Sequence, residues 1–158
     1  LEAVRPLDVP VVIASKDPAW RKAASALAHV QVGEVSPERF RELMAGSRAV
    51  VVPLQRDLLQ GAGHQTYLNA MQLRKPVIVS DAPGVRDHVE DGRTGFIVRP
   101  GDPIALRQAI QRVMRNGSEV RGIVEAGAAC VAERFTLEHF VERHLALARS
   151  CAQEERQP

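Results

Sequence analysis

Five short runs of apolar, mostly β-branched residues punctuate the chain: Val9 to Ser15, Val30 to Gly33, Arg48 to Pro53, Pro76 to Ser80 and Thr94 to Val98. Each is nearly continuous rather than alternating, which is the pattern of a strand buried on both faces. Helical spacing fills the intervals. Asp17-Pro18 offers an N-cap followed by proline at the first helical position, and Trp20, Ala23, Ala24 and Leu27 then recur on one face. Ser36-Pro37 repeats the device with Phe40, Leu43 and Met44 as its stripe. Asp102-Pro103 uses it again with Leu106, Ala109, Ile110 and Val113. Further helices are predicted over His64 to Arg74, over Ser118 to Glu133, and from a Thr136 cap to about Ser150, with a polar tail after them.

Repeated strand–helix units with short links predict an α/β fold, a Rossmann-like parallel sheet flanked by helices. Ligands of such sheets bind beyond the carboxyl ends of the strands. The stretches to search are therefore Gly33 to Ser36, Leu54 to Gly63, Asp81 to Val85 and Arg99 to Asp102.

The chain has 158 residues, 45% apolar and 25% charged, which suits one globular domain (1–150 plus a tail, 151–158) and excludes a disordered or disulfide-stapled chain. The net charge is +2, and the basic residues are scattered among few aromatics, so a nucleic-acid surface is not expected. The longest apolar run, Ala49 to Leu54, is too short for a transmembrane segment. Cys130 and Cys151 have no CxxC partner, which fits a reduced, cytoplasmic compartment. Leu1 to Arg5 reads as the last turn of a helix already under way, so the chain is expected to be a piece of something longer.

Chemistry concentrates between Leu58 and Met71 (LLQGAGHQTYLNAM). Gly61 and Gly63 remove side chains where backbone would approach a ligand, with Ala62 between them. His64, Gln65 and Thr66 form a first helical turn whose N–H groups have no intrahelical partner. An anion placed there gains hydrogen bonds and the positive end of the helix dipole, about 0.3–1 kcal/mol when exposed and up to about 2 kcal/mol when partly buried. A diphosphate is the natural guest. The loop is neither a Walker loop, lacking Gly-Lys-Ser/Thr, nor the dinucleotide fingerprint, lacking its third glycine. Without a ligand the same residues are simply a tight turn.

From Tyr67 to Gly101, and on through Gly101-Asp102-Pro103 and Glu133-Arg134-Phe135-Thr136, the sequence resembles the C-terminal domain of retaining GT-B glycosyltransferases, in particular the large GT4 family. The motifs that carry the resemblance are Asn69-Ala70-Met71, Arg74-Lys75-Pro76-Val77-Ile78, Asp91-Gly92-Arg93-Thr94-Gly95 and Pro100-Gly101-Asp102-Pro103. The resemblance implies that the domain holds a nucleotide-diphosphate sugar as substrate, with no cofactor and no metal. It implies a diphosphate cradle at Gly61, Ala62, Gly63, His64, Gln65 and Thr66, a ribose contact at Asn69, and a nucleobase contact at Gly33, Glu34 and Val35.

The sequence departs from the family pattern in three places. Two glutamates seven residues apart are expected around the loop; Asn69 replaces the second and Gly61 or Gln60 the first. Arg74 stands where the family has glycine, and reads as a surface difference. The family's phosphate-neutralising Arg and Lys come after a strand that would precede residue 1, as would the acceptor-binding domain. That strand lies mid-sheet in the family, between the runs at 9–15 and 48–53, so a gap or rearranged edge is expected and the chain alone is expected to catalyse no transfer. The implied activity is glycosyl transfer with retention in the cytoplasm, with peripheral membrane attachment only through the missing domain. The alternatives are a non-catalytic nucleotide-sugar-binding domain and a nucleotide-sugar epimerase of the same architecture.

Other candidates read as structural. His88 looks like a solvated helix end, His139 and His144 like half-exposed side chains, and Ser80-Asp81 like a loop without a nucleophile elbow. Trp20 and Phe40 read as packing residues, and Arg56-Asp57 as a surface ion pair or a substrate contact.

Overall fold

A computed structural model of the chain describes residues 1–55, 62–115 and 117–154. Strands and helices alternate as the pattern requires: β1 (Val11–Ala14), α1 (Pro18–Ala24), β2 (Val30–Gly33), α2 (Pro37–Gly46), β3 (Val50–Val52), α3 (His64–Gln72), β4 (Val77–Ser80), β5 (Phe96–Val98), α4 (Pro103–Arg115), α5 (Ser118–Arg134) and α6 (Leu137–Glu154). Every strand pairing is parallel. The predicted caps form. Asp17 Oδ1 accepts from the Ala19 amide at 2.8 Å, Ser36 Oγ from Arg39 at 3.2 Å, and Asp102 Oδ1 from Ile104 and Ala105 at 3.0 and 2.9 Å. Thr136 Oγ1 accepts from the His139 amide at 3.3 Å. Helix α1 stops at Ala24, so Leu27 reaches the interior from the turn that comes after it. Helix α6 runs past the expected Ser150 to Glu154.

The strands divide into two sheets, β1–β2 and β3–β4–β5. Among the described residues no ladder joins β1 to β3, so the expected break in the sheet is present between those two strands. The N-terminal segment packs across it. Val4 touches both the cluster around Ala24, Leu27 and Val30 and the cluster around Ile78, Phe96 and Ile110. Arg107 holds the segment by donating to the Ala3 and Glu2 carbonyls at 3.1 and 2.9 Å, and the His29 ring bonds the Val4 carbonyl at 3.2 Å.

Strand β4 lies between β3 and β5 and is buried along its whole length. Its alternation sends Val77 and Val79 into one core and Ile78 into the other. The first core contains Tyr67, Ala70 and Met71 of α3, packed on β3 and β4 and covered by α5. The second core is filled from α4 and α5 by Ile110, Val113, Val120 and Ile123. Two family-like motifs turn out to be backbone devices. In Asp91 to Gly95, Gly92 takes φ 71°, the buried Thr94 hydroxyl accepts from the Glu90 amide at 2.9 Å, and Asp91 Oδ1 accepts from Ile97 at 2.8 Å. In Pro100 to Pro103, Gly101 takes φ 73° and Asp102 caps α4.

Candidate functional site

Strands β3, β4 and β5 end in register, with Val52 opposite Val79 and Ser80 opposite Val98. The connections after them therefore open on one edge of the sheet. Helix α3 begins at that edge, and its entry is set by Gly63 in the left-handed region at φ 73°. A Cβ there would stand 2.7 Å from Val52 Cγ1, so the position requires glycine on both backbone and packing grounds. Among the described residues no side chain caps this helix, and no acidic residue lies in its first turn. The first intrahelical acceptor, the Gly63 carbonyl, takes the Tyr67 amide at 3.1 Å. Among the described residues nothing accepts from the amides of His64, Gln65 and Thr66. Three donors and the positive end of a nine-residue helix are thus presented together.

Of the residues singled out in the sequence, Ala62, Gly63, His64, Thr66 and Asn69 are half-buried and Gln65 is exposed. Gly61 lies outside the described residues, as do Arg56 and Asp57. Asn69 sits one turn beyond Thr66 on α3, its carbonyl accepting from Leu73 at 2.9 Å. Gly33, Glu34 and Val35 are placed apart, at the end of β2 in the two-stranded sheet. There the Gly33 carbonyl accepts from Ser15 at 3.0 Å, and the exposed Glu34 carboxylate pairs with Lys16 at 2.9 Å.

Beside α3 the structure places a cluster that the sequence did not disclose. Rings of His64 and His88 meet edge to face at 5.0 Å, Tyr67 lies 5.7 Å and 5.8 Å from them, and Phe135 lies 5.0 Å from His88. His88 is therefore not the solvated helix end read from its polar neighbours. Asp87 ends a single 3-10 turn (Val85–Asp87), and the fully buried Val85 and Val89 on either side draw the ring inward. His88 Nδ1 lies 2.8 Å from the Gly84 carbonyl, which only accepts, so Nδ1 carries the proton. Burial, and secondarily the Asp87 charge, pushes the Tyr67 phenol up to about 12.

On the same sheet edge, beyond β4 and β5, a shallow depression of about 450 Å³ is lined by Asp81, Arg86, Val98, Arg99 and Pro100. Its Arg86 is committed to Asp81 through a two-pronged contact, Nη2 to Oδ2 at 2.7 Å and Nε to Oδ1 at 3.0 Å. Ser80 is buried in β4. Among the described residues no three His, Cys, Asp or Glu side chains gather to hold a metal, and no described helix is long and apolar enough to cross a membrane.

Residues 1–116 match the family model described as Glycosyl transferases group 1. The chain belongs to that family. The human alpha-1,3/1,6-mannosyltransferase ALG2 is 34% identical over 76 residues, which is 48% of this chain and 18% of that protein. Among solved structures, a glycosyltransferase from Rickettsia africae superposes with a TM-score of 0.80 at 20% identity, over 94% of this chain and 42% of the other. Anabaena Alr3699/HepE, solved in complex with UDP-glucose, gives 0.77 at 20% identity, over 94% and 43%. The fold of this group 1 chain is that of a GT-B C-terminal domain. The chain spans 14–26% of the length of the curated relatives it matches.

Arg74 is reassigned by the structure. It is the one non-glycine residue with positive φ among those described, at 55°. The Arg74 amide donates to Met71 O and the Lys75 amide to Ala70 O, both at 2.9 Å, which is the Schellman closure of α3. Glycine at that place in the family motif suits the left-handed backbone, so Arg74 carries a backbone cost there and is not only a surface difference.

Proposed function

We propose that this chain is the donor-binding half of a retaining glycosyltransferase, taking a sugar carried on a UDP- or GDP-type diphosphate. The observation that carries the reading is the set of uncommitted amides at His64, Gln65 and Thr66, presented at the carboxyl edge of the sheet by a glycine whose backbone and packing both disfavour a side chain. A diphosphate leaving as the sugar's anomeric C–O bond breaks accumulates negative charge, and preformed N–H donors with a helix dipole stabilise that charge without reorganising. Asn69, on the same helix, reaches the ribose as a neutral partner, and Gly33 to Val35 meet the base. The diphosphate-sugar complex of Anabaena HepE supports the ligand class. Residues 1–150 form the donor domain, an acceptor-binding domain supplies the other half of the site, and the chain alone is inactive. The free cysteines, Cys130 and Cys151, suit a cytoplasmic enzyme.

A second reading, a non-catalytic nucleotide-sugar-binding module, is favoured by Asn69, which offers no carboxylate for a charge-assisted bond to ribose. Titration calorimetry of the chain against UDP, GDP and their glucose and mannose conjugates tests the shared core of both readings. Saturable binding of at least one is expected, and absence of binding across the panel ends both. Asn69→Glu separates them. In the full-length protein it raises the transfer rate if the site is a weakened enzyme and leaves it at zero if the site only binds.

A further inference from the structure

The two sheets meet through the first turn of the chain rather than through a ladder. Leu1 to Arg5 form that turn, the Leu1 carbonyl accepting from the Val4 and Arg5 amides, both at 3.0 Å. The carbonyls that come next are left to other partners, as at the end of any helix. Two side chains take them, one from each side of the break. Arg107 of α4, which packs on β4 and β5, donates Nη2 to the Glu2 carbonyl at 2.9 Å and Nε to the Ala3 carbonyl at 3.1 Å. His29, which precedes β2, reaches the Val4 carbonyl with Nε2 at 3.2 Å. That carbonyl only accepts, so Nε2 carries the proton. Beneath these bonds Ala3 is buried. Among the described residues, Val4 is the one side chain common to the apolar clusters of the two sheets.

We propose that Arg107 and His29 are positioning residues, which clamp residues 1–5 across the break and so fix the two-stranded sheet against the three-stranded one. The role rests on the donor-site reading, which puts the base at Gly33 to Val35 on one sheet and the diphosphate beside α3 on the other. A nucleoside diphosphate is then a two-part ligand that must engage both sheets at once. Its second contact is intramolecular once the first is made, and the gain depends on the two subsites being held at the spacing of the ligand. Apolar packing of Val4 alone sets no direction. A forked guanidinium on two consecutive carbonyls sets both distance and direction, and His29 adds a third bond from the opposite side. Neither residue touches the nucleotide.

Residual dipolar couplings of the ligand-free chain read the clamp directly. One alignment tensor is expected to fit the amides of β1–β2 and of β3–β4–β5 together. In Arg107→Ala, and to a lesser degree in His29→Ala, the β1–β2 couplings are expected to require a tensor of smaller magnitude. Two tensors already in the parent chain, or a single tensor still sufficient in every variant that folds, overturn the proposal. The parent measurement needs no variant, and His29→Ala carries the comparison if Arg107→Ala does not fold. A ligand series then separates positioning from general stability, with UDP, uridine and inorganic pyrophosphate titrated into the chain and followed by NMR. Arg107→Ala is expected to weaken UDP about tenfold and to leave uridine and pyrophosphate each within about twofold. Equal weakening of all three, or undiminished binding of UDP, overturns the positioning role. A parent chain that binds none of the three ends the donor-site reading, while the couplings still decide whether the clamp holds the sheets.

Discussion

Gly63 lies so close to Val52 that a Cβ on the glycine would stand 2.7 Å from Val52 Cγ1. The contact ties the start of α3 to the last residue of β3, and with φ at 73° it leaves a single residue type that satisfies both constraints. Gly63→Ala is therefore expected to cost about 1–3 kcal/mol of stability. It is also expected to lower nucleotide affinity more than the loss of folded protein explains, because the strain is relieved by shifting the amides. Chemical denaturation with parallel calorimetry checks this. Val52→Ala in the same chain removes the clash but opens a cavity in the first core, so the loss in the double variant is expected to fall short of the sum of the two single losses.

Arg74 supplies a prediction of the opposite sign. Its left-handed backbone costs a non-glycine residue about 1 kcal/mol, while its ion pair with Glu125 is solvent-exposed and contributes little. Arg74→Gly is expected to raise stability by about 0.5–1 kcal/mol. Glu125→Ala is expected to change it by less than about 0.5 kcal/mol. Unfolding midpoints in urea decide between a backbone effect and a charge effect.

The parallel strands and capped helices were legible in the sequence because each rests on a local rule. Buried runs such as Val77 to Val79 have no polar alternation, and Asp17, Ser36, Asp102 and Thr136 each announce a helix start with a side-chain acceptor. The glycine at position 63 and the free amides after it were legible for the same reason. The His88 cluster was not, because it depends on Tyr67 and Phe135 converging on it from 21 and 47 positions away, and no periodicity encodes that. The meaning of Arg74 was hidden too, since a left-handed residue is disclosed by its φ and by the Lys75–Ala70 bond rather than by its charge. Gly33 to Val35 follow a strand of the two-stranded sheet whereas α3 packs on the three-stranded one, a separation that strand order decides and local pattern does not.

Helix α5 contains an internal control for helix packing. A Cβ at Gly127 would meet the Thr94 carbonyl oxygen at 2.7 Å and Met71 Cε at 3.5 Å, whereas one at Gly122 would meet nothing within 4 Å. Alanine is favoured over glycine in a helix interior by about 0.8–1 kcal/mol. Gly122→Ala is therefore expected to stabilise by roughly that amount. Gly127→Ala is expected to destabilise by about 1–3 kcal/mol, because the obstructing atom is the backbone oxygen of Thr94 and α5 must move away from the turn before β5 to make room. Thermal unfolding of the two variants side by side checks the difference in sign.

Tyr67 makes stability depend on alkaline pH. Burial, with a smaller contribution from Asp87, holds its phenol at about 12 in the folded chain, against about 10 when unfolded. Between these values the unfolded chain loses the proton that the folded chain keeps, so it binds fewer protons and stability falls as pH rises. The contribution is fully present below pH 10 and disappears as pH passes through 12, amounting to about 3 kcal/mol at most. Tyr67→Phe keeps the ring that packs in the first core and has no proton to lose. The variant is expected to show a shallower decline in denaturation free energy between pH 9 and 11 than the parent chain. Equal slopes would mean that the phenol titrates near its ordinary value and that the cluster around His88 is open to water.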